Sequence, residues 1–275
     1  MLATYLLSLR EGLEAALIVG IVLGALRQMR RTDLTLAVWG GVLGAVLVSG
    51  LVAVVLTTLG LSLQDPAEAI FEGFTMLLAM AVLTWMIFWM NSQSRQLKSE
   101  LEAGVRQAAL AGGQRGLFIL AFLAVVREGV ELALFLTAAT FASDAVQTLT
   151  GTLLGLFTSI LLGWSLFATS VKLDLRRFFQ VTGFLLILFA AGMATRGVSE
   201  FVEVGWLPAL WEHVWDLNPI LSETSGLGQI LSALFGYASS PSLMAILTYI
   251  GYFLTIGVGL RLARKTEVAS VQAQA

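Results

Sequence analysis

The chain is organised by long runs without charge. Such stretches lie between Asp33 and Asp65, Glu72 and Arg95, Asp144 and Lys172, Arg177 and Arg196, and Ser240 and Arg261. Each is long enough to cross about 30 Å of hydrocarbon at about 1.5 Å per residue. Two further apolar segments, residues 2–29 and 116–141, have the right length but carry charges in their middle. The pattern predicts an all-α polytopic membrane protein with seven transmembrane helices, at about 2–29, 34–60, 66–91, 116–141, 148–171, 178–200 and 241–261. They form one transmembrane domain over 1–265, and a polar, disordered tail is expected from 266 to 275. The first helix does not read as a cleaved signal peptide, because it lacks a basic start and holds Arg10, Glu11 and Glu14 within its apolar run.

Composition agrees that lipid is the solvent. The 275 residues are 57% hydrophobic and only 12% charged, with a mean hydropathy of +0.87, against roughly 25% charged for a soluble chain. There is no cysteine, which excludes disulfides, thiolate metal sites and cysteine nucleophiles together. A net charge of -2 is too small to point to nucleic acid. Its distribution is informative, because every second connection is basic. Arg27, Arg30 and Arg31 follow helix 1; Arg95, Lys98, Arg106 and Arg115 separate helices 3 and 4; Lys172, Arg176 and Arg177 separate helices 5 and 6; Arg261, Arg264 and Lys265 follow helix 7. The alternate connections hold no Lys or Arg, so the positive-inside rule predicts an outer N-terminus and an inner C-terminus. Asp65, Glu68, Asp144, Glu200, Glu203, Glu212, Asp216 and Glu223 then form an acidic outer rim. The rim either attracts cations or merely reflects the exclusion of basic residues from that side.

The two interrupted helices share a motif. Arg10-Glu11-Gly12-Leu13-Glu14 in helix 1 matches Arg127-Glu128-Gly129-Val130-Glu131 in helix 4, each followed by x-A-L. The copies lie three helices apart, so residues 1–91 and 115–203 read as inverted repeats with a site on their pseudo-twofold axis near mid-bilayer. At about 100° per residue, the Arg and both Glu of a copy share one polar arc. Gly12, Ala16, Gly20 and Gly24 line another face, suited to close helix packing. An ionised residue at the bilayer centre costs at least about 2.5–3.5 kcal/mol, and the motifs contain six. Arg10 and Arg127 could pair with the carboxylates as plain interhelical fasteners, but apolar packing would fasten the helices at lower cost. Four carboxylates against two arginines leave a negative excess that a cation would balance. The single histidine, His213, lies in an outer connection, so a site at membrane depth is built from oxygen alone. That suits hard ions such as Fe3+, Mn2+, Mg2+ or Ca2+. A proton relay through the same carboxylates fits as well.

The paired motifs, together with Phe71-Glu72-Gly73 running into Leu83-Thr84-Trp85-Met86-Ile87-Phe88-Trp89-Met90 and the Phe235-Gly236-Tyr237 element, resemble the oxidase-dependent iron permeases. This family includes the fungal high-affinity iron permeases and the bacterial EfeU-type proteins, and the resemblance covers essentially the whole chain. It implies inward iron transport across the cell membrane, with Glu11, Glu14, Glu128 and Glu131 as ligands. It also implies an extracytoplasmic iron oxidase or iron-binding partner that would supply Fe3+. Iron would be the transported substrate; no resident cofactor and no enzyme activity are expected. Transport of another hard divalent cation, or proton-coupled cation exchange, is the alternative. A homo-oligomer is compatible with the sequence.

Other residues have competing readings. Asp65-Pro66-Ala67-Glu68 reads as a helix start with Asp65 as N-cap and Glu68 at N3. Glu72, one turn deeper, is either a carboxylate on the ion's approach or a side chain that snorkels to water. Arg196, Glu200 and Glu203 share a face and read as an internal ion pair or as outer ligands. In the outer stretch 201–240, Glu212, His213 and Asp216 would converge on a metal if that segment were helical, while Trp206, Trp211 and Trp215 read as interfacial anchors. The same stretch could equally receive the partner. Trp85 and Trp89 read as an inner aromatic belt, and residues 91–115 as a short solvated helix.

Overall fold

A computed structural model describes residues 1–93, 97–142, 145–168, 175–208 and 210–272. Arg95, Asp144 and Lys172, which bound three of the expected spans, lie outside the described residues. Among the described residues the chain is all-helical. The order is α1 (Leu2–Gln28), α2 (Thr35–Ser62), α3 (Ala67–Gln93), α4 (Leu97–Gln107), α5 (Gly113–Ala142), α6 (Ala145–Ala168), α7 (Leu175–Glu203), α8 (Gly226–Phe235) and α9 (Leu243–Gln272). Among the described residues four segments are long and apolar enough to cross a membrane: Thr32–Ser62, Ala67–Trp89, Ala145–Leu166 and Arg177–Glu203. Leu243–Gly259 is a shorter apolar helix, and α1 and α5, of 27 and 30 residues, match the others in length but carry the motif charges. This is the architecture of a polytopic membrane protein. Accordingly α2 buries only a narrow stripe (Val38, Gly41, Ala45, Ser49, Gly60) and turns Leu36, Leu43, Leu47, Leu51 and Val54 outward.

Small residues set how the helices pair. Along α6, Gly151 meets Met1 and Thr4, Gly155 meets Tyr5, Ser8 and Leu9, Ser159 meets Gly12, and Gly163 meets Ala16. Both numberings rise together, so α1 and α6 run parallel in close contact. The same holds for α2 and α5: Gly41 faces Phe118 and Phe122, Ser49 faces Gly129, and Gly60 faces Phe141. Helices α3 and α7 are antiparallel, since Gly73 packs on Gly197 and Ile87 on Gly183. A Cβ on either Gly73 or Gly197 would lie 3.0 Å from the other's carbonyl oxygen, so the two backbones touch. Without a hydrophobic drive between helices in lipid, such small-residue seams supply the packing. Of the expected stripe on α1, Gly12 and Ala16 do this work, whereas Gly24 has open space beside it.

Three elements depart from the sequence expectation. At the start of α3 the Gln64 carbonyl accepts from the Ala67 and Glu68 amides, at 2.9 and 3.2 Å, the groups an Asp65 cap is expected to serve. Helix α4 is amphipathic rather than freely solvated: Val105 is buried and Leu101 partly so, packed with Ala109 and Leu117 against Val22 and Leu26 of α1. Continuing from it, a π-helical turn, Ala108–Gly112, and Gly113 at φ +52 lead into α5. At the other end α9 continues to Gln272, into the stretch read as a polar tail, whose Ala, Glu and Gln favour helix.

The stretch between α7 and α9 also does more than connect them. Ser225 accepts the Gly228 amide as the N-cap of α8, and Gly236, at φ +66, closes its C-terminus. A Cβ on Gly192 of α7 would lie 2.8 Å from the Gly236 nitrogen. Gly192 precedes the end of α7 by about 16 Å of helix rise, so α8 descends along α7 toward the middle of the bundle. Arg196 Nη2 anchors it there, donating to Ser232 Oγ at 2.6 Å and to the Ser232 carbonyl at 3.3 Å. Phe235 packs against the central core that includes Ala3, Leu7, Met76 and Met193.

Candidate metal centre

The two motif helices deliver their polar arcs to a common point. One carboxylate oxygen each from Glu11, Glu128 and Glu131 lies within 4.8 Å of the other two, and all three residues are buried. Among the described residues this is the only such group of three. The motif glycines allow close helix contact beside this point, because Gly12 sits against Ser159 of α6 and Gly129 against Ser49 of α2.

The guanidinium groups flank this point. Arg10 Nη1 donates to Glu11 Oε1 at 3.2 Å, and Nη2 lies 3.3 Å from Glu14 Oε1. Arg127 Nε donates to Glu131 Oε1 at 3.0 Å and lies 3.9 Å from Glu128 Oε1. Each Arg therefore reaches both carboxylates of its own copy, as the 100° spacing requires. The arginines do not exhaust the acceptors: Oε2 of Glu11, Glu128 and Glu131 is in each case buried without a hydrogen-bond partner. A buried unpaired acceptor costs about 1–3 kcal/mol, and more when charged. Three such carboxylates around one point form an all-oxygen donor set, a kind that suits a hard cation better than a soft metal.

The other candidate residues are placed as follows. Glu14 is not one of the three converging carboxylates; it sits against Arg10, with Glu131 and Arg127 acting on it electrostatically. Glu72 is not in the central group either. It is half-buried near the start of α3, where the charges of Glu200, Glu68, Glu203 and Asp65 act on it. Arg196 faces Ser232 and feels both Glu223 and Glu200. The residues Glu212, His213 and Asp216 lie in irregular backbone, so the helical convergence that a metal site there requires is absent. His213 Nδ1 instead pairs with Ser240 Oγ at 3.0 Å, and Asp216 Oδ1 accepts from the Asn218 amide and side chain, both at 2.9 Å. Glu223 is occupied by Ser239, whose amide and hydroxyl donate to it at 2.6 and 3.0 Å.

Sequence reasoning missed the residues that hold the arginines from α3. Met86 Sδ lies 3.2 Å from Arg10 Nη1. The Arg127 guanidinium stands over the Trp89 ring, 4.4 Å from its centroid, and 5.6 Å from that of Trp85. These side chains therefore do more than form a belt. Ser49 and Ser159, the partners of the motif glycines, were also missed, although the four-residue spacing of Gly151, Gly155, Ser159 and Gly163 signals a packing face.

Known proteins place this centre in context. The chain is 36% identical over 92% of its length to the ferrous iron permease EfeU of Escherichia coli O6:K15:H31, covering 93% of that protein, and equally similar to its namesake in Shigella sonnei. A ferrous iron permease EfeU of Yersinia pestis is 34% identical over 92% of this chain and 91% of its own. No solved structure matches. The profile of the iron permease FTR1 family matches residues 1–269, so the pair of arginine-carboxylate motifs sits in a chain that belongs, over nearly its whole length, to the iron permease FTR1 family.

Proposed function

We propose that this membrane protein carries iron inward through the carboxylates of its two motif copies. The observation that carries the reading is the convergence of Glu11, Glu128 and Glu131, from two separate helices, with a buried unpartnered oxygen on each. Iron is drawn to the acidic outer side near Glu72, Glu68, Glu200 and Glu203, and passes to the three-carboxylate point. Glu14, outside that group, receives it next. Arg10 and Arg127 balance part of the charge while the ion is away. The names of the curated relatives indicate iron as the cargo. The all-oxygen donor set suits Fe3+, formed when an extracytoplasmic partner takes one electron from Fe2+.

The arrangement in the membrane is seven spans with the N-terminus outside, two inverted three-helix repeats and a final helix. The register supports this: the 110-residue offset between Ser49 and Ser159 also relates Gly73 to Gly183 and Ile87 to Gly197, the two contacts that pin α3 to α7. The reciprocal pairing of α1 with α6 and α2 with α5 is what a twofold exchange of the repeats produces.

Radio-iron uptake into proteoliposomes tests the function, with Fe2+ and chelated Fe3+ offered separately and Mn2+ and Mg2+ as competitors. Wild type is expected to take up iron, and Glu131→Gln to lose at least about tenfold while inserting normally. Equal uptake by the variant, or full displacement of iron by Mg2+, overturns the reading.

A further inference from the structure

The two motif arginines are chemically alike but held differently. Arg10 is 2% exposed and enclosed between Glu11, Glu14 and Met86, so its surroundings hold it in place. Arg127 is 35% exposed, and among the described residues its carboxylate contacts, like those of Arg10, come from its own helix, one and four residues on, so what differs is burial. A long, partly exposed side chain with neighbours on its own helix has several rotamers open to it, and holding one of them costs conformational entropy. The element that restricts it is α3. Trp89 and Trp85, one turn apart with their ring centroids 6.4 Å from each other, present two aromatic surfaces on which the guanidinium rests. The ring quadrupole attracts the cation, most strongly for Trp and where water is excluded.

We propose that Trp89, assisted by Trp85, is a positioning residue for iron: it fixes Arg127 so that Glu131 is presented with one oxygen occupied by the guanidinium and the other free for the ion. This deepens the permease reading and rests on it for the ion's identity. Glu131 Oε1 takes the Arg127 Nε–H, while Oε2 is buried and unpartnered. If Arg127 leaves the rings, the carboxylate is released to rotate, and the guanidinium is free to reach Oε2 and compete with the ion. Loss of the rings therefore weakens iron binding rather than the later movement of the ion. Arg10 needs no such platform, which accounts for the thioether of Met86 standing at its Nη1 instead of a second aromatic pair.

The test uses the full chain, purified and reconstituted, in four forms: Trp89→Phe, Trp89→Leu, Arg127→Gln and the double variant Trp89→Leu, Arg127→Gln. Two readouts are taken, radio-iron uptake over a range of iron concentrations and equilibrium binding of Fe2+ to the detergent-solubilised protein without oxygen. Trp89→Leu is expected to raise KM and weaken Fe2+ binding about 3- to 30-fold, the range of a cation-π contact, with kcat within about twofold of wild type. Trp89→Phe keeps a π face and is expected to stay within about threefold. In the Arg127→Gln background, Trp89→Leu is expected to add less than twofold, because the ring acts through the arginine. Equal losses for Phe and Leu, a fall in kcat at constant KM, or a full Trp89→Leu effect without Arg127 would each overturn the proposal. The binding arm separates the two ideas. If wild type binds Fe2+ but moves none, the permease reading fails, while the ratio of Leu to Phe variant affinities still decides the role of Trp89.

Discussion

Replacing Gly129 by alanine probes why each motif contains a glycine. The new Cβ would press on Ser49 Oγ and lie 2.7 Å from Ser49 Cβ, against 3.4–4 Å for an ordinary contact. Helices α5 and α2 must therefore part by about 1 Å, since both atoms sit close to the backbone and no flexible chain end can yield. Overpacking of this kind costs about 1–3 kcal/mol. The displacement also acts directly on the site, because Glu128 and Glu131 flank Gly129 on the helix that moves. Thermal unfolding in detergent should show Tm lowered by several degrees, and iron uptake should fall at least about tenfold. Ser49→Gly in the same chain restores the space and loses no hydrogen bond, because Ser49 Oγ has no partner. The double variant is expected to recover most of the Tm and most of the uptake. If Gly129→Ala matches wild type, or if Ser49→Gly fails to rescue it, the seam between α2 and α5 is not what positions the carboxylates.

Two further outcomes test the rest of the account. Arg10→Ala removes the partner of fully buried Glu11 and should destabilise by about 3–5 kcal/mol, read as a larger loss of monodisperse protein than Arg127→Ala causes at its more exposed position. Arg196→Leu breaks the tie to Ser232 and should speed proteolysis and hydrogen exchange within Gly226–Phe235, leaving the Glu11 region protected; unchanged exchange would show that α8 is held by packing alone.

Much of the fold is legible in the sequence because membrane helices are written in charge-free length, and α2, α3, α6 and α7 begin and end near the expected positions. The site is legible for the same reason: six charges in apolar helices stand out, and the 100° arc correctly groups each Arg with its two Glu. What periodicity could not supply is which helix faces which. The partners Ser49, Ser159, Met86, Trp85 and Trp89 are distant in sequence from the motifs they touch, and Trp on an apolar helix looks the same whether it meets lipid or a guanidinium. At Glu212, His213 and Asp216 the spacing brings the side chains together only on a helix, and the backbone there is irregular. The descent of α8 was hidden because a ten-residue amphipathic helix is too short to register as a span.

The central claim is that iron rests between Glu11, Glu128 and Glu131. Anomalous diffraction at the iron edge from iron-loaded protein locates the ion directly, with Glu11→Gln as the control. The account predicts a peak about 2.0–2.2 Å from carboxylate oxygens of both motif helices, absent or much reduced in the variant. A peak at the Glu72 and Glu200 cluster or beside His213, with none between the motif helices, would contradict it.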